Sequence, residues 1–197
     1  MISPETWKAA QLQELIFWQN QKYDILADYR DWYLSFFGEF IFPRKKILEI
    51  GCGAVPNSIL VAGAAEIWGI DTWMDKYQEI PNNQLSIINH PLNGNAEEMP
   101  QVPGNYFDLV LCLNVLDHSW NWPEIIKEAS RVLISGGNLY LVVDLRKEDE
   151  VNSCHPTAIH TDDIDGVVQT AGFYVFKKEI RPLFHGRPAY YAILVKP

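Results

Sequence analysis

Basic residues are scarce: the 197-residue chain has 16 Lys and Arg against 25 Asp and Glu, a formal net charge of −9. Nucleic-acid binding depends on neutralising phosphates with basic side chains, and no basic patch stands out. An RNA or DNA partner is therefore not expected, nor is an anionic membrane surface. Cysteine is scarcer still. Cys52, Cys112 and Cys154 are scattered and odd in number, which argues against a disulfide framework and fits a reducing cytoplasm. No apolar run is long enough to span a bilayer. The opening Met1-Ile2-Ser3-Pro4-Glu5 lacks the basic start and continuous apolar stretch of a signal peptide. Internal repeats, low-complexity tracts and linkers are also missing. A hydrophobic share of 48% at this length is enough for one domain with a full core.

Two regions differ in pattern. Residues 1–42 are expected to form a helical cap. Ser3, Pro4 and Glu5 make a helix start, Leu12, Leu15, Ile16 and Trp18 recur at helical spacing, and a second helix carries Ile25, Leu26, Tyr29, Trp32, Tyr33, Phe36 and Phe37 up to Gly38. The cap is rich in aromatics, Trp7, Phe17, Tyr23, Phe40 and Phe42 among them. Such rings either pack onto the neighbouring domain or roof a ligand pocket. Over residues 43–197, strands and helices alternate, which predicts an α/β domain on a mostly parallel sheet with right-handed crossovers. Strands are expected at about 46–50, 66–70, 85–89, 107–113 and 138–144, and helices at about 56–64, 122–134 and 161–171. An antiparallel hairpin, 173–180 and 189–195, closes the chain.

The first strand, Ile47-Leu48-Glu49-Ile50, runs into Gly51-Cys52-Gly53, where the lack of Cβ atoms lets the backbone turn sharply and approach a ligand closely. The second, Glu66-Ile67-Trp68-Gly69-Ile70, ends in Asp71, positioned to accept both hydroxyls of a ribose. A dinucleotide loop needs a third glycine so that a helix N-terminus can cradle a pyrophosphate, but Pro56 stands at that position. Glu49 also brings negative charge, unsuited to a pyrophosphate and suited to an ammonium. A cofactor with a ribose and an amino-acid tail but no phosphate fits: S-adenosylmethionine, rather than NAD or FAD.

Over residues 40–197 the chain resembles the class I S-adenosylmethionine-dependent methyltransferases. The resemblance rests on Glu49-Ile50-Gly51-Cys52-Gly53, Asp71, Asn95-Ala96-Glu97-Glu98-Met99-Pro100, Tyr106 to Cys112, Asn114-Val115-Leu116-Asp117-His118 and Arg131 to Tyr140. It implies a Rossmann-like, mostly parallel seven-stranded sheet with a C-terminal antiparallel hairpin. It also implies a cofactor site in which Glu49 holds the methionine amino group, Gly51, Cys52 and Gly53 admit the tail, Asp71 and Thr72 meet the ribose, Asn95 and Ala96 address adenine, and Asn114 and Val115 line the sulfonium end. Asn95 replaces the family's usual Asp, and its amide oxygen can still accept from the adenine amino group.

Methyl transfer from a sulfonium is an in-line displacement that mainly needs positioning and a dry site, with a general base where the acceptor is a hydroxyl. His118, beside Asp117 at the carboxyl end of the fourth strand, either serves as that base or only shapes its loop. His155 and His160 lie in the stretch expected to cross the acceptor pocket, where they contact substrate or simply build the loop. A metal site from Cys154, His155 and His160 matches no common zinc spacing, so no metal is expected. Thr161 reads as a helix N-cap, Asp144 as structural, solvated or facing the pocket, and Trp73 and Met74 as possible flanks of adenine. His90 and His185 carry no role. The resulting expectation is a methyltransferase acting on a small-molecule, sugar or lipid-linked acceptor, with oxygen favoured because His residues gather at the proposed mouth. The rival is a catalytically silent cofactor-binding protein with a regulatory or assembly role.

Overall fold

The computed structural model describes residues 2–21, 25–183 and 185–197, the side chains of 25–29 excepted. Tyr23 therefore lies outside the described residues, and of Ile25, Leu26 and Tyr29 only the helical backbone is described. Helices α1 (Pro4–Asn20) and α2 (Ile25–Phe37) open the chain. They are followed by β1 (Lys46–Ile50), β2 (Glu66–Asp71), the short α3 (Met74–Gln78), β3 (His90–Asn93) and β4 (Phe107–Leu113). Next come α4 (Trp122–Val132), β5 (Leu133–Asp144), α5 (Thr161–Thr170), β6 (Tyr174–Pro182) and β7 (Pro188–Val195).

The seven strands form one sheet in the order β3-β2-β1-β4-β5-β7-β6. All neighbours pair in parallel except β7, which runs antiparallel to both β5 and β6. The branched runs of β1 and β4 are buried because both faces of the sheet are covered. On one face α4 buries Ile125, Ile126, Ala129 and Val132 and α5 buries Ile164 and Val168. On the other, Tyr33, Phe36, Phe37 and Phe40 of the cap pack against Leu109, Leu111, Val142 and Tyr191. Phe37 stacks on Tyr140 with centroids 4.6 Å apart. Among the described residues, no helix is long and apolar enough to cross a membrane.

The order changes direction between β1 and β4, where β1 pairs with β2 on one side and β4 on the other. The loops leaving these strands diverge and open a cleft at their carboxyl ends, the usual ligand site of an open α/β sheet.

Four expectations need correction. Residues 56–64 do not form an α-helix. Only Asn57–Leu60 coil, as a 3-10 turn, because Ala62 pairs with the backbone of Phe40 and Phe42 instead. The third strand is His90–Asn93, not 85–89. Leu85–Ile87 form a 3-10 turn, and Pro91 is tolerated because β3 lies at the sheet edge. The fourth helix stops at Val132, and β5 starts at Leu133 with a register shift against β4 rather than at 138. Thr161 is the first helical residue of α5, not its cap: the cap position is His160, which makes no side-chain capping bond.

Candidate active site at the carboxyl edge of the sheet

The turn after β1 is built from two glycines in the left-handed region, Gly51 at φ 66° and Gly53 at φ 58°. A Cβ on Gly51 would lie 2.6 Å from Val115, and one on Gly53 would lie 2.4 Å from the Trp18 indole. Only glycine fits this path. Asp71, at the end of β2, accepts from the backbone N–H of Gly53 at 3.0 Å and of Trp73 at 3.1 Å. Burial lifts its pKa to about 6; these backbone donors oppose the shift and Glu14 adds to it. Asn114, beyond β4, also has positive φ (62°), and its buried Oδ1 has no hydrogen-bond partner among the described residues.

Glu49 is 1% exposed and does not reach the cleft. One oxygen accepts from the Asn57 N–H at 2.7 Å and its amide at 3.1 Å, and the other accepts from the Ser58 N–H at 2.8 Å. Burial raises its pKa and these bonds counter the shift. The 3-10 turn that replaced the expected helix thus engages this acid. Asn95 is likewise off the cavity wall, its Oδ1 accepting from the Thr72 hydroxyl at 3.3 Å.

A cavity of about 560 Å³ occupies the cleft, lined by Gly51, Cys52, Gly53, Asp71, Thr72, Ala96, Asn114 and Val115 on the side of the glycine turn, where a nucleoside cofactor would lie. It continues past His118 to His155, Arg146, His185 and Arg187. Helix α1 covers it with Trp7, Gln11, Glu14, Phe17 and Trp18. The Trp73 indole donates to the Gln11 carbonyl at 2.8 Å, and the Gln11 amide donates to the His118 carbonyl at 3.0 Å. Trp7 meets Trp120 with ring centroids 6.4 Å apart. Met74, by contrast, is buried in the core.

Deeper in, charged side chains form a buried network. Asp117 is fully buried; its Oδ2 accepts from His155 Nδ1 at 2.7 Å and Arg146 Nε at 3.2 Å. Burial raises its pKa, but His118, His155 and Arg146 outweigh that and hold it well below the usual carboxylate range. Arg146, 4% exposed, also donates from Nη2 to Asp144 at 2.7 Å, while its Nη1 has no hydrogen-bond partner among the described residues. Burial lifts Asp144 to about 6, helped by Asp117 and opposed by Arg146 and Arg187. His118 Nδ1 faces the Cys154 carbonyl at 2.9 Å and Glu14 at 3.2 Å. Burial disfavours its charged form, but Asp117 and Glu14 overcome this and raise its pKa. The Asn152 side chain accepts from the Cys154 and His155 N–H groups, so an Asx turn fixes the His155 backbone.

His118 and His155 are thus brought together, with ring centroids 4.3 Å apart, while His160 lies at the surface on Glu148 at 3.0 Å, away from the cavity. Among the described residues, Asp117, His118 and His155 are also the cluster whose ligand atoms come within 4.8 Å of one another, a different trio from Cys154, His155 and His160. Arg146 on Asp117 already supplies the positive charge a metal would bring. Sequence reasoning missed Glu14, Arg146, His185 and Arg187. The available signal was Asp144-Leu145-Arg146, an acid and a base closing an apolar strand.

Strand order, glycine turn and cleft define the class I methyltransferase architecture. Residues 48–141 match the family model described as "Methyltransferase domain". A protein of Mycolicibacterium smegmatis named as a probable S-adenosylmethionine-dependent methyltransferase is 26% identical over 150 residues, 72% of this chain and 56% of the relative. A ubiquinone biosynthesis O-methyltransferase of Nitrosomonas europaea is 25% identical over 60% of this chain and 52% of the relative. The chain spans about half the length of these curated relatives. The solved structure of the [4+2]-cyclase SpnF shares the fold at a TM-score of 0.74 and 15% identity, covering 100% of this chain and 98% of that one. Residues 48–141 thus form a methyltransferase domain of the class I S-adenosylmethionine-dependent type.

Proposed function

We propose that the protein methylates a hydroxyl of a small-molecule acceptor, with His155 as general base. The observation that carries this reading is the buried Asp117 carboxylate 2.7 Å from His155 Nδ1 at the cavity wall. With Nδ1–H donating to Asp117, the Nε2 lone pair is left to accept a proton, and Asp117 stabilises the imidazolium that forms.

The residues on the nucleotide side suit S-adenosylmethionine. The Asp71 carboxylate can take both ribose hydroxyls, the glycine turn admits the tail without steric conflict, and the orphaned Asn114 Oδ1 offers an acceptor to a donor-rich group. When bound, the cofactor supplies a methyl group on a positively charged sulfur, open to in-line attack. Asp117 and Asn152 hold the His155 ring in place, and that ring takes the hydroxyl proton as oxygen attacks. Glu14 and His118 tie α1 over the cavity and keep water out. Helix α1 acts as a cover for the site, and the limited cavity favours a small acceptor over a nucleic acid.

The test is S-adenosylhomocysteine formation by wild-type protein and His155→Gln over a panel of hydroxyl acceptors. A wild-type signal that falls by about 10²–10⁴-fold in the variant, the usual contribution of a general base, is expected. Tight cofactor binding without turnover on any acceptor would favour the silent cofactor-binding protein. Undiminished turnover in His155→Gln would remove the base.

A further inference from the structure

We propose that the acceptor carries a carboxylate, bound by the Arg146 guanidinium beside the hydroxyl that is methylated; this rests on the reading of the cavity as an acceptor site. In a chain with few basic residues, three of the five histidines (His118, His155 and His185) line this cavity together with Arg146 and Arg187. Two acids hold Arg146 from below: Asp117 accepts from Nε and Asp144 from Nη2. Nη1 is buried without a hydrogen-bond partner among the described residues. An unpaired guanidinium N–H inside a protein is unfavourable, and a ligand oxygen would satisfy it.

Arg146 and His155 donate to the same oxygen of Asp117, so the guanidinium and the proposed base stand side by side. An acceptor with a carboxylate on Arg146 would therefore hold its hydroxyl at His155 while its apolar body lies under Trp7 and Phe17 of α1. Arg187, 3.6 Å from Asp144, adds a second guanidinium on the cavity wall. A monoanion suits the site, because a dianion would set two charges against Asp117, Asp144 and Glu14. Planar carboxylate geometry also matches a guanidinium edge.

The test uses 3-hydroxybenzoate and its neutral counterpart 3-hydroxybenzamide, titrated calorimetrically into the S-adenosylhomocysteine-loaded protein with a chelator present. The acid should bind at least tenfold more tightly than the amide. That preference should vanish in Arg146→Gln, survive in part in Arg146→Lys and persist in His155→Gln. No preference for the acid in wild-type protein, absence of binding by both included, overturns the proposal without relying on any variant. So does a preference that Arg146→Gln retains, or one that appears only with an added divalent cation. Loss of methyl transfer in His155→Gln is a separate readout. A base that fails there leaves the carboxylate preference standing, and a missing preference leaves the base untouched.

Discussion

In the proposed cofactor site, Asp71 would control affinity through its protonation. Burial lifts its pKa to about 6, and only the ionised carboxylate accepts from both ribose hydroxyls. S-adenosylmethionine should therefore bind more tightly as pH rises through about 6, measurable by calorimetry from pH 5 to 8. Asp71→Ala should weaken binding by about 1–3 kcal/mol, the range for hydrogen bonds to a charged group, and flatten that profile. The residues that make backbone shape were legible in sequence, because Gly51-Cys52-Gly53 and Asp71 form a short pattern with fixed spacing. The Asp117–Arg146–Asp144 network was not. Asp117 lies 29 residues from Arg146 and meets it only when β4 and β5 pair. Glu49 was less legible for a related reason: a strand-end acid can face a ligand or a neighbouring turn, and here its carboxylate accepts from Asn57 and Ser58.

Helix α1 is the element that closes the site. Trp73→Phe removes the bond to the Gln11 carbonyl while keeping an aromatic ring, and should loosen α1 by about 0.5–1.5 kcal/mol. Amide hydrogen exchange in residues 4–20 should rise several-fold while exchange in β1 and β4 is unchanged. Gly53→Ala acts on the same helix. Its positive φ costs about 1–3 kcal/mol in a non-glycine residue, and the new methyl displaces Trp18. Most strands were readable because apolar runs ended in turn residues. β3 was hidden because the apolar Leu85–Ile88 stretch looked more strand-like than His90-Pro91-Leu92-Asn93, yet edge pairing with β2 uses the latter.

At the scale of the whole molecule, buried acids set the pH response of folding. Asp71 and Asp144 both rise from 3.8 to about 6, so the folded protein holds protons there that the unfolded chain releases. Their effect is to lower stability as pH climbs from about 4 to 6. His118, raised above 6.5, extends the decline, because the stability it adds below its unfolded value is lost as pH passes through the folded one. Asp117 acts in the opposite sense, losing stability only as pH falls below about 4. Thermal melts of the ligand-free protein should therefore show a falling melting temperature from pH 5 to 7.5, by about 2–4 °C per kcal/mol lost. The indole of Trp18 packs against Gly53, over the turn that would admit the cofactor. Loading a fresh cofactor and discharging a spent one would then both depend on α1 lifting, so that a single helix docking event would gate entry and exit. The steady-state clock would then be set by that motion, and a rapid-quench record would show a first turnover faster than those that follow.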